Sequence, residues 1–399
     1  MNDLAESESC EDAVPHLPAK SAFAAMPVTY LNSGATHPLP LGARRALDAY
    51  ARHKTLDRTG PPLDMVGKDR HVLAMFASLV GATPQELSFT QSTSMAENLV
   101  LNALGFPDQA ARVVTDRLHF SGSLYTYARL VQAGADVVAV PMNRDGEVAI
   151  EAIAAAMNDK TRLIAVSLVS SLNGFEHDLH ALCEMAHAQG AYVYADIVHA
   201  AGAMPVDLHA CGVDFAASSS YKWLMGDFGL AFLYASKAVQ RQLRPNWWGY
   251  YQLEGHHEQT AMPGADALDA SCYNNLDNAQ GLFAMGTMCR TGVALLDYSL
   301  AWIQRLGVEA IQTHRQPLIE AIQGELRRRG YQPLTPLTSR SPLVAFALKD
   351  AKAKLHELLG QRQVAIALAP DRFRISVAAF NDMNDVDRLL WAIPKIPPT

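Results

Sequence analysis

The stretch AYVYADIVHAAGAMPVDLHACGVDFAASSSYKWL, residues 191–224, decides how the rest of the chain is read. Its first six residues, Ala191 to Asp196, are apolar on both faces and rich in β-formers, as in a strand buried inside a parallel sheet. The run ends in an acid. In open α/β sheets ligands sit just outside the carboxyl ends of the strands, so Asp196 stands where a ligand would be met. His199 follows three residues on, and Lys222 lies 26 residues after Asp196 in SerSerSerTyrLysTrpLeu. Taken singly, these have ordinary readings: a helix cap, a packed histidine, a solvated lysine. Together they form a chemical set. A lysine amine can form an imine and move a proton, and a carboxylate can pair with a heterocyclic nitrogen. Small hydroxyl residues beside the lysine can hold phosphate.

Working outward, strand-like runs recur at Ala111–Thr115, Asp136–Val140 and Arg162–Leu168, with a further one at Phe228–Tyr234. Helical patterns separate them at Gly122–Gln132, Ile150–Met157 and Leu179–Gly190, and Ser236–Leu243 follows the last strand. Strand and helix in alternation predict a doubly wound α/β domain with a mostly parallel sheet. Beyond it the pattern changes. Thr291–Leu306 and Val308–Arg329 read as helices, the second closing on a basic turn before Gly330. Pro342–Leu348, Val364–Leu368 and Arg372–Val377 read as strands. Asn384–Ala392 reads as a closing helix with Asn384 as its N-cap. The expected organisation is a leader over 1–28, a large domain over 29–290 and a small α+β domain over 291–399, with 29–45 able to pack on the latter. Trp247–Phe283 has little periodicity and is expected to be a functional or subunit-contacting loop.

Composition narrows the function classes. The 399 residues carry 33 basic and 40 acidic side chains, a formal net charge of -7, which leaves no basic footprint for nucleic acid. No run of 18 apolar residues predicts a membrane span, and Met1–Lys20 lacks the pattern of a secretory signal. Five cysteines (Cys10, Cys183, Cys211, Cys272, Cys289) without CxxC spacing argue against a disulfide framework or a zinc site, and a cytoplasmic location is the expectation. No GxGxxG motif follows a first strand, which disfavours a nicotinamide-dependent enzyme.

The segments 196–209, 212–215 and 220–224 closely resemble the class V aminotransferase superfamily of fold-type I pyridoxal-phosphate enzymes. That group includes kynureninases, cysteine desulfurases, isopenicillin N epimerase-like proteins and C–S lyases. The likeness extends from TyrLeuAsnSerGly (30–34) to PheArgIleSerValAlaAlaPheAsn (373–381). It implies pyridoxal 5'-phosphate as cofactor, with Lys222 as the Schiff-base lysine, Asp196 as partner of the pyridinium nitrogen and His199 against the phenolic oxygen. It further implies phosphate contacts from Ser219, Tyr221, Thr93 and Ser94, the last two in GlnSerThrSerMetAlaGluAsn (91–98), where a helix N-terminus would face the anion. Phe120 or His119 would stack on the ring. Ser171 would touch the cofactor, and Asn173 or the aromatic Trp248 the substrate, although Asn173 also suits a plain Asn-Gly turn. Arg374 would clamp the substrate carboxylate. Thr287, in PheAlaMetGlyThr (283–287), would reach the phosphate of a neighbouring subunit, which implies a homodimer with a shared site.

The cofactor alone does not name the reaction. No cysteine follows Cys289, and TPLTSRS (335–341) has none where a persulfide-forming desulfurase would carry its nucleophile. TrpTrpGly (247–249) suggests kynureninase, but residues 31–38 and 228–230 depart from that pattern. The reading leans to β-elimination from an α-amino acid with a leaving group on Cβ. Transamination, epimerisation and kynureninase-like hydrolysis are alternatives, and a non-catalytic regulatory protein is the alternative from another class.

Overall fold

The computed structural model describes residues 16–57, 59–107, 111–244, 247–255 and 273–395. Its centre is a seven-stranded sheet: β1 (Leu87–Thr90), β2 (Arg112–Asp116), β3 (Asp136–Val140), β4 (Thr161–Ser167), β5 (Tyr192–Asp196), β6 (Phe215–Ser219) and β7 (Ala231–Ala235). The spatial order is β1-β7-β6-β5-β4-β2-β3. The β3-β2-β4-β5-β6 run is parallel, and β7 and β1 close it antiparallel. Side-chain alternation explains why both faces are apolar. Val114, Ile164, Val166, Val193, Ala195 and Ala216 join one core, whereas Val113, Leu163, Ala165, Tyr194, Phe215 and Ala217 join the other. The sheet is therefore covered on both sides, as in α/β proteins built from strand–helix–strand units.

A four-stranded sheet of Gln332–Pro333, Leu343–Ala347, Ala367–Leu368 and Arg372–Ser376 lies in the C-terminal part. It packs with the helices Val308–Arg328, Ala351–Gln361 and Met383–Ala392 around a third core that also takes in Leu31. This packing brings the N-terminal Asn32–Gly34 segment against Ser376 and Arg374. The fold is the expected fold-type I α/β arrangement.

Several local expectations are corrected. Val364–Leu368 is not one strand: Val364–Ala365 pairs in parallel with Thr29–Tyr30, and Ala367–Leu368 pairs antiparallel with 373–374. Asn384 is not the cap of the last helix. Asp382 is, accepting from the Asp385 N–H at 3.1 Å within a capping box. β7 begins at Ala231 rather than Phe228, because Phe228 is exposed and stacks on Tyr221 while Gly229 turns the chain at φ +81°. The helices Leu41–Lys54, Met65–Leu79 and Ala351–Gln361 are not anticipated at all. Leu41–Lys54 in particular buries only a narrow face, at Gly42 and Ala43.

Candidate functional site

Asp116, Ser167, Asp196 and Ser219 each end a parallel strand, so four polar side chains meet along one edge of the sheet. Beside that edge lies a small cleft lined by Thr93, Phe120, Ser167, Ser171, Asp196, Val198, His199, Tyr221 and Lys222. Seven of the fourteen site residues expected from sequence thus come together in one place, although they derive from segments more than a hundred residues apart.

Lys222 is buried at 8% exposure, and its Nζ lies 3.1 Å from His199 Nε2. Burial disfavours its ammonium and lowers its pKa to about 8; Asp196 opposes that shift and Arg374 adds to it. The Trp223 indole N–H donates to His199 Nδ1 at 3.4 Å. Burial, with the neighbouring Lys222 and Arg374 charges, holds the His199 pKa well below the ordinary histidine value. The ring is therefore neutral at physiological pH; with the Trp223 N–H donating to Nδ1, its own hydrogen sits on Nε2 and donates to Lys222 when that lysine is the free amine. Asp196 is buried and accepts from the Val198 N–H at 2.9 Å. Its pKa is raised by burial, against opposing contributions from that hydrogen bond, His119 and Lys222.

The opposite end of the cleft is the start of the helix Thr93–Ala103. Ser92 caps it by accepting from the Met95 N–H, and the Thr93 N–H donates to Ser219 Oγ at 3.3 Å. The first turn of an eleven-residue helix, with Thr93 in the cleft wall, suits a phosphate group. Ser94 is exposed and does not line the cleft. Tyr221 lines it, held by stacking on Phe228 at 4.4 Å. A primary amine with a lowered pKa, a buried carboxylate and an anion-binding helix start fit pyridoxal phosphate.

Arg374 sits behind Ser171. Its Nη1 donates to the Ser171 carbonyl at 2.6 Å, while its buried Nε has no partner. Ser376 Oγ, Ser33 Oγ and Asn32 Oδ1 are likewise buried and unpaired. Gly34 faces this group, since a Cβ there would stand 2.7 Å from Ser376 Oγ and 3.4 Å from Arg374 Nη2. The unpaired Arg374 Nε–H and the Ser376 hydroxyl are donors that a carboxylate would satisfy.

Other expectations fall elsewhere. His119 is not in the cleft wall; its Nδ1 pairs with Ser167 Oγ at 2.8 Å and its Nε2 with Glu97 Oε1 at 3.1 Å, so Phe120 is the ring that faces the cleft. The Asn173 amide is spent within the protein, donating to the Gly146 and Leu334 carbonyls and accepting from the Phe175 N–H. Trp248 is 72% exposed and Thr287 is exposed, both outside the wall of this chain's cleft. Cys272 and Cys10, and residues 256–272 of the Trp247–Phe283 loop, lie outside the described residues. Ser167 was missed, although the carboxyl-end rule that singles out Asp196 applies to it equally. Glu97 was missed as well. The signal was an acid on the apolar stripe it shares with Val100, Leu101 and Leu104.

A family model described as aminotransferase class-V matches residues 69–389. A probable cysteine desulfurase from Methanothermobacter thermautotrophicus is 30% identical over 298 residues, 73% of this chain and 71% of the relative. One from Halobacterium salinarum is 26% identical over 402 residues, covering 92% and 91%. Among solved structures, the cysteine desulfurase CsdA from Escherichia coli superposes with a TM-score of 0.81 at 20% identity, over 94% of this chain and 97% of that one. The cystine C-S lyase C-DES, in complex with its reaction product cysteine persulfide, superposes with a TM-score of 0.78 at 18% identity, over 92% and 97%. Among the described residues no helix is long and apolar enough to cross a membrane, and no His/Cys/Asp/Glu group is arranged to hold a metal ion.

Proposed function

The chain belongs to the class-V aminotransferase family, a family of pyridoxal-phosphate enzymes, and from that premise we propose that it is a C–S lyase that eliminates the sulfur substituent from Cβ of a cysteine-derived amino acid. The observation that carries this reading is a cleft with a poised lysine and, among the described residues, no thiol in its wall. Cys183 is buried with its pKa pushed up to about 12 by burial, and Cys289 is used as a helix cap. Cys211 lies away from the cleft, and no cysteine follows Cys289. A desulfurase that stores sulfur on its own cysteine needs a thiolate that reaches the substrate. A lyase that lets the sulfur leave does not.

In this reading Arg374 binds the substrate carboxylate in a two-pronged contact that would engage its unpaired Nε. The unpaired Ser376 hydroxyl, which faces Gly34 together with Arg374, would help orient that carboxylate. Lys222 would hold the cofactor through its side-chain amine and, as a free base, would take the substrate's α-proton. A pKa near 8 keeps an appreciable fraction of it a free base at neutral pH. His199 tethers the lysine, and Asp196 pairs with the ring nitrogen. Pyridoxal phosphate, when bound, supplies the electron sink that makes the α-proton acidic. Loss of that proton expels the thiolate from Cβ. The three-carbon fragment leaves as 2-aminoacrylate, which water converts to pyruvate and ammonium. Thr287, being exposed, is free to contribute to the site of a second copy, and the active unit is a homodimer.

The test is product stoichiometry. The cofactor-loaded protein, given S-substituted cysteines, is expected to release thiol, pyruvate and ammonium in equal amounts, with Lys222→Ala inactive and lacking the visible band of lysine-linked cofactor. Alanine together with a persulfide on the protein would overturn the elimination reading in favour of desulfuration. A keto acid that retains the substituent would point to transamination, and a racemised substrate to epimerisation.

A further inference from the structure

Behind the cleft lies a closed set of buried polar side chains that the elimination does not itself require. Glu97 is 2% exposed, on the inner face of the helix Thr93–Ala103. Its Oε1 accepts from the Tyr127 hydroxyl at 2.6 Å and pairs with His119 Nε2 at 3.1 Å; its Oε2 accepts from the Ser123 hydroxyl at 2.6 Å. His119 is 3% exposed, and its other nitrogen reaches Ser167 Oγ at 2.8 Å. Ser167 and Asp196 are register partners at the ends of adjacent parallel strands, and both line the cleft. Side chains of such partners stand on the same face of a sheet, with strands about 4.8 Å apart. A continuous path of hydrogen bonds therefore runs from a buried carboxylate, through an imidazole, to the residue beside Asp196.

Both nitrogens of His119 have acceptors, Glu97 on one side and the Ser167 hydroxyl on the other. The Ser167 hydroxyl can accept from a doubly protonated ring or donate to a singly protonated one, so the buried carboxylate at Nε2 is the contact that favours the imidazolium. Burial alone would lower its pKa, but the hydrogen bond and charge of Glu97, with Asp116 and Asp196 beyond, raise it above the ordinary value. Glu97 is held below the usual carboxylate range; burial opposes this, and the His119, Ser123 and Tyr127 contacts outweigh it. The charged and titratable groups around the ring are Glu97 and Tyr127 from the two helices, Asp116 with its partner His177, and Asp196 and Tyr194 from β5, with Lys222 across the cleft. With its Nδ1–H donating to Ser167, the imidazolium leaves the Ser167 proton free to point into the cleft.

We propose that Glu97 and His119 form a buried ion pair that positions Asp196: the pair holds a fixed cation at the strand end and aims the Ser167 hydroxyl at the space Asp196 shares. The pair acts through Asp196 and touches no substrate, so Glu97 and His119 are positioning residues. The inference rests on the reading of Asp196 as the partner of the cofactor nitrogen, and it adds a cation beside that buried carboxylate, His119 lowering its pKa by more than Glu97 raises it.

The test uses the full chain, without and with pyridoxal phosphate. In the cofactor-free protein, ¹⁵N-labelled histidine resolves the His119 ring, and ¹³C-labelled aspartate follows the Asp196 carboxyl. The wild-type ring is expected to be an imidazolium at neutral pH. Glu97→Gln keeps the shape of the side chain and is expected to leave the ring neutral and move the Asp196 midpoint upward. In the loaded enzyme the same substitution is expected to shift the pH midpoint of the cofactor absorbance by about one pH unit and to lower kcat about tenfold with KM little changed. Ser167→Ala leaves the ion pair intact and serves if Glu97→Gln folds poorly; it should keep the His119 imidazolium and still shift the absorbance midpoint. A neutral His119 in the wild type, or Asp196 and absorbance midpoints that move in neither variant, overturns the proposal. Failure to take up cofactor would instead refute the proposed function, because the histidine and aspartate titrations read the ion pair without it.

Discussion

The lowered pKa of Lys222 can be measured without knowing the substrate. A fall from the usual 10.5 to about 8 corresponds to about 3 kcal/mol against the buried ammonium. At about pH 7.5 roughly a quarter of Lys222 would be free amine, compared with about one in a thousand of an ordinary lysine, an advantage of about two hundredfold. The perturbation is a brief pulse of acetic anhydride on the cofactor-free chain at a series of pH values between about 6 and 11. Mass spectrometry then follows acetylation of the Lys222 peptide against the protein's other lysines. The reactivity of Lys222 should rise with a midpoint near pH 8. The signs for neighbouring substitutions follow from charge. Asp196 favours the ammonium, so Asp196→Asn should move the midpoint further down. Arg374 disfavours it, so Arg374→Gln should move it up. A wild-type midpoint near 10, or variants that move in the opposite directions, would refute the claim that burial poises this lysine.

The same buried ammonium should weigh on stability. Because the folded pKa lies below the unfolded one, the penalty is full below about pH 8 and fades as pH rises towards 10.5. Lys222→Met is therefore expected to raise Tm at neutral pH by about 3–4 °C, the gain vanishing near pH 11, as calorimetry across pH would read. Arg374→Lys keeps the charge but loses the planar fork, and steady-state kinetics should show KM raised roughly tenfold or more with kcat within a few-fold. Gly202 has φ +83°, and a Cβ there would lie 2.9 Å from the Trp223 carbonyl, so Gly202→Ala should destabilise by about 1–3 kcal/mol in denaturant titrations. Since Trp223 bonds His199, it should also loosen the lysine's surroundings.

How much of this was legible in the sequence depends on how local the signal was. β4 and β5 are nearly continuous apolar runs, and a chain that buries both faces of a strand has little choice of residue, so they could be read to within a residue. Helix Leu41–Lys54 was not anticipated; its only fully buried residues are Gly42, packed against Tyr298, and Ala43, and the small side chains of that face make a weak signal. The site divides in the same way. Asp196, His199 and Lys222 lie within one 27-residue segment and could be recognised by spacing. Arg374 could be placed only through resemblance, and its unpaired neighbours Asn32, Ser33 and Ser376 only through the fold, because the third core folds the N-terminal segment onto the last strand.

His119 shows why spacing fails where roles are exchanged between adjacent residues. Resemblance favours Phe120 over His119 as the ring that faces the cofactor, but spacing alone does not separate them, since a one-residue difference in the turn after β2 decides which side chain faces in. The partner that settles it, Glu97, is a helix position 22 residues earlier whose carboxylate would be costly to bury alone. Once Glu97 is inside, a cation or several donors must meet it, and His119, Ser123 and Tyr127 do so. A histidine committed to that carboxylate is held away from the cleft, and the adjacent phenylalanine takes the open wall. An acid on an apolar helix face is thus informative in its own right: it implies that polar side chains elsewhere in the chain are already assigned to it and are not available as ligands.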